Sequence, residues 1–247
     1  MGHCLFLRKG EVHTAPVTGV LASSLAVGST VKLMEGGTAV EYLVVNQGIP
    51  SNSSLYDASC NGTWLLRKDL LNRSLYKPTA YFDTNISYDQ SNVYTYLSND
   101  FFNGLGETEQ ATIKKVKIPY AVKSGSNWII ANGAGGLSVR VFILSATEMS
   151  FVNISEVRNE GASLNYFDGL TNADDKKRIA YLNGTANMYF LRSGAVTYSY
   201  DGAVLGVTSS GSTTIASGNT QMAVRPALVL PSNALFDETT MLLKGVK

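Results

Sequence analysis

The apolar residues of this chain fall into short strand-like runs separated by turn residues. The first two runs, 27–33 and 39–45, flank Glu35-Gly36-Gly37, and this pattern predicts a β-hairpin. A third strand is predicted at 63–68. The last third of the chain is again β-like, with strands predicted at 188–192, 196–200, 203–207 and 222–230. At 247 residues, the chain is long enough to bury a core without a disulfide or a metal.

Helical spacing interrupts these strands only in short stretches. Apolar residues from Val93 to Leu105 fall at helical spacing, and Ser91 is placed to cap that helix. A second short helix is predicted at 107–113, and Ser145-Ala-Thr-Glu148 fits a capping box that opens a third. Short helices among antiparallel strands predict an α+β fold.

Charge and residue supply exclude several function classes. With 20 Lys+Arg and 19 Asp+Glu, the net charge of +1 offers no long-range field for phosphates, so no nucleic-acid partner is predicted. No run of about 18 apolar residues is present, so no membrane insertion is predicted. Cys4 and Cys60 belong to no Cys/His cluster, and both histidines (His3 and His13) precede the predicted domain. We therefore predict no metal, no cofactor and no catalytic residues.

The chain divides by composition into an arm, a domain and a tail. Residues 1–26 form a predicted attachment arm, in which a short apolar piece, Cys4–Leu7, precedes a neutral connector. Such a piece cannot bury itself, and its use is strand addition to a neighbouring subunit, although a frayed terminus explains it equally well. Residues 27–236 form the predicted domain and 237–247 a tail. Within the domain, the Ser/Thr/Gly-rich stretch 208–220 is predicted to be a long exposed loop.

The order of the motifs resembles a known family. It is an uncharacterised domain common in Firmicutes and their phages, with the C-type-lectin-like fold shared by formylglycine-generating enzymes. The matching stretches cover nearly the whole chain, from 27 to 236, and they are 27–33, 41–45, 93–102, 107–113, 141–148, 189–193, 198–202 and 224–228. The resemblance implies a C-type-lectin-like fold, with short helices packed on small antiparallel sheets.

Two activities of proteins with that fold are not expected of this chain. Enzymatic relatives hold copper with a cysteine pair near the C-terminal end of the domain, whereas no cysteine follows Cys60 here. Calcium-dependent lectins use Glu-Pro-Asn or Gln-Pro-Asp together with Trp-Asn-Asp, and this chain has only Leu97-Ser-Asn-Asp100. The resemblance therefore implies neither a copper oxidase nor a calcium lectin.

The resemblance then implies a protein that uses this fold for binding, as phage tail fibres and the variable proteins of retroelements do. There the C-terminal third displays aromatic and small polar side chains, a combination that suits adaptable recognition. Tyr198 and Tyr200 share one face of a strand, so they are exposed together or buried together in the core. Arg192 and Arg225 have a structural alternative, pairing with carboxylates or loop carbonyls. The implied display face comprises Tyr189, Arg192, Tyr198, Tyr200, Asp201, Ser209, Ser210 and Ser212.

The resemblance and the residue supply together predict a non-enzymatic bacteriophage virion protein. We expect a tail-fibre, baseplate or head-decoration component, exposed on the particle, that binds a host-surface glycan or protein. Its predicted partners are other virion proteins, reached through the arm, and further copies of itself in a homo-oligomer. The alternatives are a purely structural assembly protein that is anchored by the arm, and a formylglycine-type oxidoreductase that uses Cys60.

Overall fold

The chain folds mostly into β-structure. A computed structural model describes residues 18–51, 53–71, 87–124, 127–152, 154, 159–173, 175–194, 203–217 and 222–247. Strands account for 38% of the structure and helices of all kinds for 19%. The strands are β1 (Val20–Leu21), β2 (Thr30–Glu35), β3 (Thr38–Gln47), β4 (Thr63–Arg67), β5 (Val116–Ile118), β6 (Tyr120–Ser124), β7 (Asn127–Ala131), β8 (Leu137–Val139), β9 (Val141–Phe142), β10 (Tyr181–Leu182), β11 (Thr185–Ala186), β12 (Tyr189–Gly194), β13 (Ala203–Val207), β14 (Thr213–Ser217), β15 (Ala227–Leu230), β16 (Ala234–Phe236) and β17 (Leu243–Val246).

A five-stranded antiparallel sheet lies at the centre, in the order β2-β3-β4-β15-β9. Its first hairpin turns at Gly36 and Gly37, both with positive φ, so the predicted hairpin is confirmed. The predicted third strand is also confirmed as β4, which pairs with β15 in the register Thr63↔Leu230. The core is built on β4 and β15: Trp64 is fully buried and makes edge-to-face contacts with Tyr56 and Phe142.

Smaller antiparallel sheets surround this centre. One has the order β1-β16-β17 and another β12-β13-β14, while β5 pairs with β8, β6 with β7, and β10 with β11. Residues 18–26, predicted to belong to the arm, contact the domain: β1 pairs with β16, and Ala22 is buried. Residues of the predicted tail form β17, so both ends of the described chain meet in one sheet.

The helices are short. Helix α1 (Asn92–Tyr96) starts at the predicted cap, where the Ser91 hydroxyl accepts a hydrogen bond from the Tyr94 amide, and it continues into a π-helical turn at Leu97–Phe101. Helix α2 spans Glu107–Thr112, as predicted. Short 3₁₀ turns are described at Ala22–Ser24, Ser53–Leu55, Ala58–Cys60, Tyr88–Gln90, Gly133–Gly135 and Asn165–Phe167.

The predicted α+β class with a C-type-lectin-like fold is wrong. The described residues form several small antiparallel sheets and one continuous helix of seven or more residues, which is α1 together with the π-helical turn, and they lack the helix packing of an α+β domain. The apolar residues concentrate in strands, and the Ser, Thr, Asn and Gly residues between them compete with helical hydrogen bonding or add backbone entropy. Helices here therefore end after one to three turns.

Two local predictions are also corrected. The stretch 208–220 is not one loop, because residues 213–217 form β14 and pair residue for residue with β13. The capping box at Ser145 forms both of its reciprocal hydrogen bonds, Glu148 N–H to Ser145 Oγ at 3.1 Å and Ser145 N–H to Glu148 Oε2 at 3.0 Å. No helix follows it, since the chain turns at residues 146–150 and Ser150 has a φ of 59°.

Candidate functional site

The structure places the first two residues of the predicted display face in the interior. Tyr189 and Arg192 lie on β12, and each is only 1% exposed. Neither side chain is presented to a macromolecular ligand, so the display prediction is corrected for both. For Arg192, the structural alternative describes what is observed: it pairs with a carboxylate and with loop carbonyls.

Arg192 forms a bidentate ion pair with Glu148. Its Nη1 lies 2.6 Å from Glu148 Oε2 and its Nη2 lies 2.6 Å from Oε1, with both side chains fully buried. The guanidinium also donates to the carbonyls of Pro119 and Ile143, at 3.1 and 2.9 Å. This pair therefore joins β12 to the turn at 145–150 and to the chain before β6.

Tyr189 belongs to a second interior network. Its hydroxyl donates to the Arg178 carbonyl at 2.6 Å and accepts from Arg225 Nη1 at 3.2 Å. Burial raises the pKa of Tyr189, and the neighbouring Arg225 opposes that rise, so the hydroxyl remains protonated at neutral pH. Arg225 in turn donates to the Arg67 carbonyl, at 2.9 Å from its Nε. Arg225, like Arg192, thus holds elements of the scaffold together.

The predicted serines lie at the tip of the β13–β14 hairpin. Ser209 and Ser210 are exposed and Ser212 is half-buried. Thr208 organises the turn: its hydroxyl accepts from the Ser212 amide at 3.1 Å and lies within 3.0 Å of the Ser210 and Ser212 hydroxyls. The Thr208 amide donates to the Ser212 carbonyl at 2.8 Å. The serine hydroxyls are therefore carried on a turn with a fixed geometry.

Gly211 allows this turn to pack closely against a neighbouring segment. Its φ is 91°, in the region that favours glycine, and a Cβ at this position would lie 2.1 Å from the Asp175 carbonyl oxygen. Only a glycine allows the turn to approach the 175–178 turn so closely. The hairpin tip is thus supported from one side by backbone.

The strands beneath the tip are apolar on the inside and uncharged on the outside. On β13, Val204, Leu205 and Val207 are buried, and β14 runs along it with Thr213, Thr214, Ile215 and Ala216 half-buried. We call residues 203–217 the hydroxyl hairpin. It contains no Asp, Glu, Lys, Arg or His. Chemically, it offers hydroxyl donors and acceptors beside small apolar groups.

Three predicted display residues, Tyr198, Tyr200 and Asp201, lie outside the described residues, as do the predicted strand 196–200 and the Asp201-Gly202 turn. Of the predicted display face, only the serines carried on the hydroxyl hairpin are described at the surface. Sequence reasoning missed β14 as part of it. The signal was present, since Thr213-Thr-Ile-Ala216 begins with three consecutive β-branched residues, but the flanking Ser and Gly residues favoured a loop.

Cys60 does not have the environment of a reactive thiol. It is a free cysteine with 0% exposure, and its thiol donates to the Lys117 carbonyl at 3.1 Å. Burial, reinforced by the charge of Glu148, raises its pKa to about 12. A nucleophilic cysteine needs the opposite, a lowered pKa and access to solvent.

The described residues form neither a cluster of metal ligands nor a membrane-spanning helix. No three His, Cys, Asp or Glu side chains in the described part of the chain are grouped so that they would hold a metal ion. Nor do the described helices include one with the length and apolar character needed to cross a membrane.

Comparison with known proteins yields one match. A family model described as "Domain of unknown function (DUF6273)" matches residues 61–232, which is 172 of the 247 residues. No curated protein and no solved structure matches the chain. The matched segment contains β4 to β15, and therefore the hydroxyl hairpin and the Arg192–Glu148 pair.

Proposed function

The chain belongs to the family of domains of unknown function DUF6273, and from that premise we propose that it is a non-enzymatic binding protein of bacteriophage particles, which recognises an uncharged host-surface glycan through the hydroxyl hairpin. The assignment to a particle is supported by the sequence resemblance described above. The choice of ligand is supported by the chemistry of residues 203–217. No nucleic acid, membrane or cofactor enters the proposal.

One observation carries the proposal: hydroxyl groups stand on a turn whose conformation is already fixed. The hydrogen bonds of Thr208 and the close approach of Gly211 to Asp175 hold that turn before any ligand arrives. A preorganised turn loses less conformational entropy on binding than a mobile loop does. Neutral hydroxyls match the donors and acceptors of a sugar and avoid the cost of desolvating charged groups.

The proposal is tested by removing two exposed hydroxyls. The double substitution Ser209→Ala/Ser210→Ala is expected to weaken binding to isolated cell-wall polysaccharide of a host Firmicute roughly tenfold, since a neutral hydrogen bond contributes about 0.5–1.5 kcal/mol. The fold should persist because Thr208 keeps its bonds to Ser212. Affinity is measured by calorimetry on the full chain, with circular dichroism as the check on folding.

Ser138→Ala is the matched control, because Ser138 is an exposed serine on β8, in a different sheet. This control should bind with unchanged affinity. If the unmodified protein fails to bind host cells and their isolated polysaccharides, or if the double variant binds as well as the control, the proposed site is rejected.

We propose as a second function that the protein assembles into the particle through its first residues. The observation in favour is the position of the first described strand: β1 lies in the β1-β16-β17 sheet, and the Thr18 carbonyl accepts a hydrogen bond from Lys244. An attachment segment would therefore leave the domain at this sheet, before residue 18. In this proposal, other virion proteins and further copies of the chain are the partners.

Deleting residues 1–17 tests assembly without removing any contact described for 18–26. The shortened protein is expected to fold, as checked by circular dichroism, because it keeps every contact described for residues 18–26. It should be lost from purified particles, as measured by quantitative mass spectrometry. Normal incorporation of the shortened protein would exclude this mode of assembly.

A further inference from the structure

Three ionisable side chains share one interior site. Glu148, Glu160 and Arg192 are each at most 1% exposed, and we call them the buried triad. Glu148 comes from the turn at 145–150, Glu160 from the segment before Gly161, and Arg192 from β12. The site thus brings two carboxyl groups and one guanidinium into a region without solvent.

All five N–H donors of Arg192 are used by groups other than the Glu160 carboxyl. Nε–H donates to the Pro119 carbonyl, Nη1 donates to Glu148 and to the Ile143 carbonyl, and Nη2 donates to Glu148 and to the Glu160 carbonyl. Glu160 Oε2 lies 3.6 Å from Arg192 Nε, yet neither carboxyl oxygen of Glu160 accepts a hydrogen bond of ordinary geometry from the described residues. The only carboxylate to which the Arg192 guanidinium donates hydrogen bonds is therefore that of Glu148.

Among the described residues, the other groups around Glu160 supply no second positive charge. The Ala121 amide on β6 and the Ser193 hydroxyl on β12 face its carboxyl group, and the titratable side chains Tyr56, Tyr88 and Cys60 also face the triad. With both carboxyl groups ionised, the site would hold a net charge of −1 away from water, which costs several kcal/mol. Burial raises the pKa of Glu160 to about 8, against the opposing effect of Arg192.

The same residues tie down the chain segment that carries Glu160. The Glu160 carbonyl accepts from Ser145 Oγ at 2.7 Å, and the Ala162 amide donates to the Tyr56 hydroxyl at 3.0 Å. Two residues further on, the Leu164 amide donates to the Glu148 carbonyl at 3.0 Å. A disturbance at the Glu160 carboxyl group therefore acts on the attachment of residues 160–164.

We propose that Glu160 carries a proton in the folded protein at neutral pH, and that loss of this proton in alkaline solution loosens residues 160–164 from the core. The buried triad is then neutral overall at neutral pH, with one carboxylate, one guanidinium and one carboxylic acid. Above the transition it carries a negative charge that no neighbour in the described part of the chain compensates. The attachment of residues 160–164 to the core thus depends on the protonation of Glu160.

The sign of the pH dependence follows from proton linkage. Glu160 binds its proton more tightly in the folded state, where its pKa is about 8, than in the unfolded chain, where the usual value is 4.5. The resulting stabilisation is complete below about pH 4.5, is lost as the pH rises through about 8, and does not change further above that. For a chain of this size, we expect this group to lower the thermal midpoint by roughly 10 °C between those limits.

The test compares thermal midpoints of the full chain with those of Glu160→Gln from pH 4.5 to 9.5. The glutamine variant cannot ionise at this position, so its midpoint should fall by roughly 10 °C less than that of the unmodified protein. Glu41→Gln is the matched control, because Glu41 is an exposed carboxylate that pairs with Lys68. Its pH profile should parallel that of the unmodified protein, and parallel profiles for Glu160→Gln as well would overturn the proposal.

A direct measurement keeps the proposal testable if Glu160→Gln does not fold. In the unmodified protein labelled with ¹³C at glutamate carboxyl carbons, one resonance should titrate near pH 8. Amide exchange at Ala162 and Leu164 should also accelerate above that pH by more than base catalysis accounts for. Titration of every glutamate below pH 6 would overturn the proposal.

Discussion

Replacing Arg192 by methionine is expected to lower the free energy of unfolding by about 3–5 kcal/mol, the cost of removing one partner from a buried ion pair. Methionine fills much of the volume of the arginine stem but leaves the Glu148 carboxylate buried without its bidentate partner. It also leaves the carbonyls of Pro119 and Ile143 without their donors. Urea denaturation at pH 7, followed by circular dichroism, measures the change.

The effect should depend on the pair and not on arginine as such. Arg140→Met is the matched control, since Arg140 is exposed, donates to the Ile113 carbonyl, lies over the Phe102 ring and has no salt bridge among the described residues. The double variant Arg192→Met/Glu148→Gln should lose less stability than the two single variants summed, because residues in one network are not additive. A loss below 1 kcal/mol for Arg192→Met would show that the pair does not hold the core together.

Replacing Arg178 by methionine is expected to cost about 2–4 kcal/mol, because buried carbonyl groups lose charged donors. Arg178 is fully buried, and its guanidinium donates to the carbonyls of Met149, Ala173 and Ser150 at 2.9, 3.1 and 3.3 Å. Its guanidinium carbon also lies 3.8 Å from the centre of the Phe151 ring. Among the described residues, no carboxylate forms a salt bridge with it.

Arg178→Lys separates the geometry of the guanidinium from its charge. A lysine keeps the charge but cannot bond three carbonyls in a planar fork, so we expect little recovery of stability relative to the methionine variant. Lys176→Met, an exposed neighbour in the same turn, is the control and should change stability by about 0.5 kcal/mol or less. Urea denaturation compares the three variants, and full stability of Arg178→Lys would contradict the proposed role of the fork.

Local patterns predicted the parts of the fold that local interactions determine. The β2–β3 hairpin follows from its Gly-Gly turn, and α1 begins at Ser91 because the serine hydroxyl caps it. The capping box at Ser145 was also recognisable, but the helix expected after it does not form. Ser145 Oγ binds the Glu160 carbonyl, and Glu148 turns its carboxylate to Arg192, 44 residues along the chain.

The candidate site was predictable only in part, because contacts between distant parts of the chain determine the rest of it. That Arg192 pairs with a carboxylate was one of two readings of the sequence, but its partner is set by tertiary structure. Strand β14 was missed because its pairing with β13 outweighs a composition that is typical of loops. Glu160 gave no signal, since nothing in the residues around it distinguishes a buried carboxyl group from a solvated one.

The position of β15 beside β4 has a consequence for the order in which the chain can fold. This central pair joins residues 63–67 to residues 227–230, and β3 and β9 flank it. A growing chain on the ribosome therefore holds β2, β3 and β4 with one edge unpaired until residue 230 has emerged. Contacts this distant in sequence slow folding and expose strand edges to other chains. We expect the central sheet to form only after residue 230 has emerged rather than segment by segment.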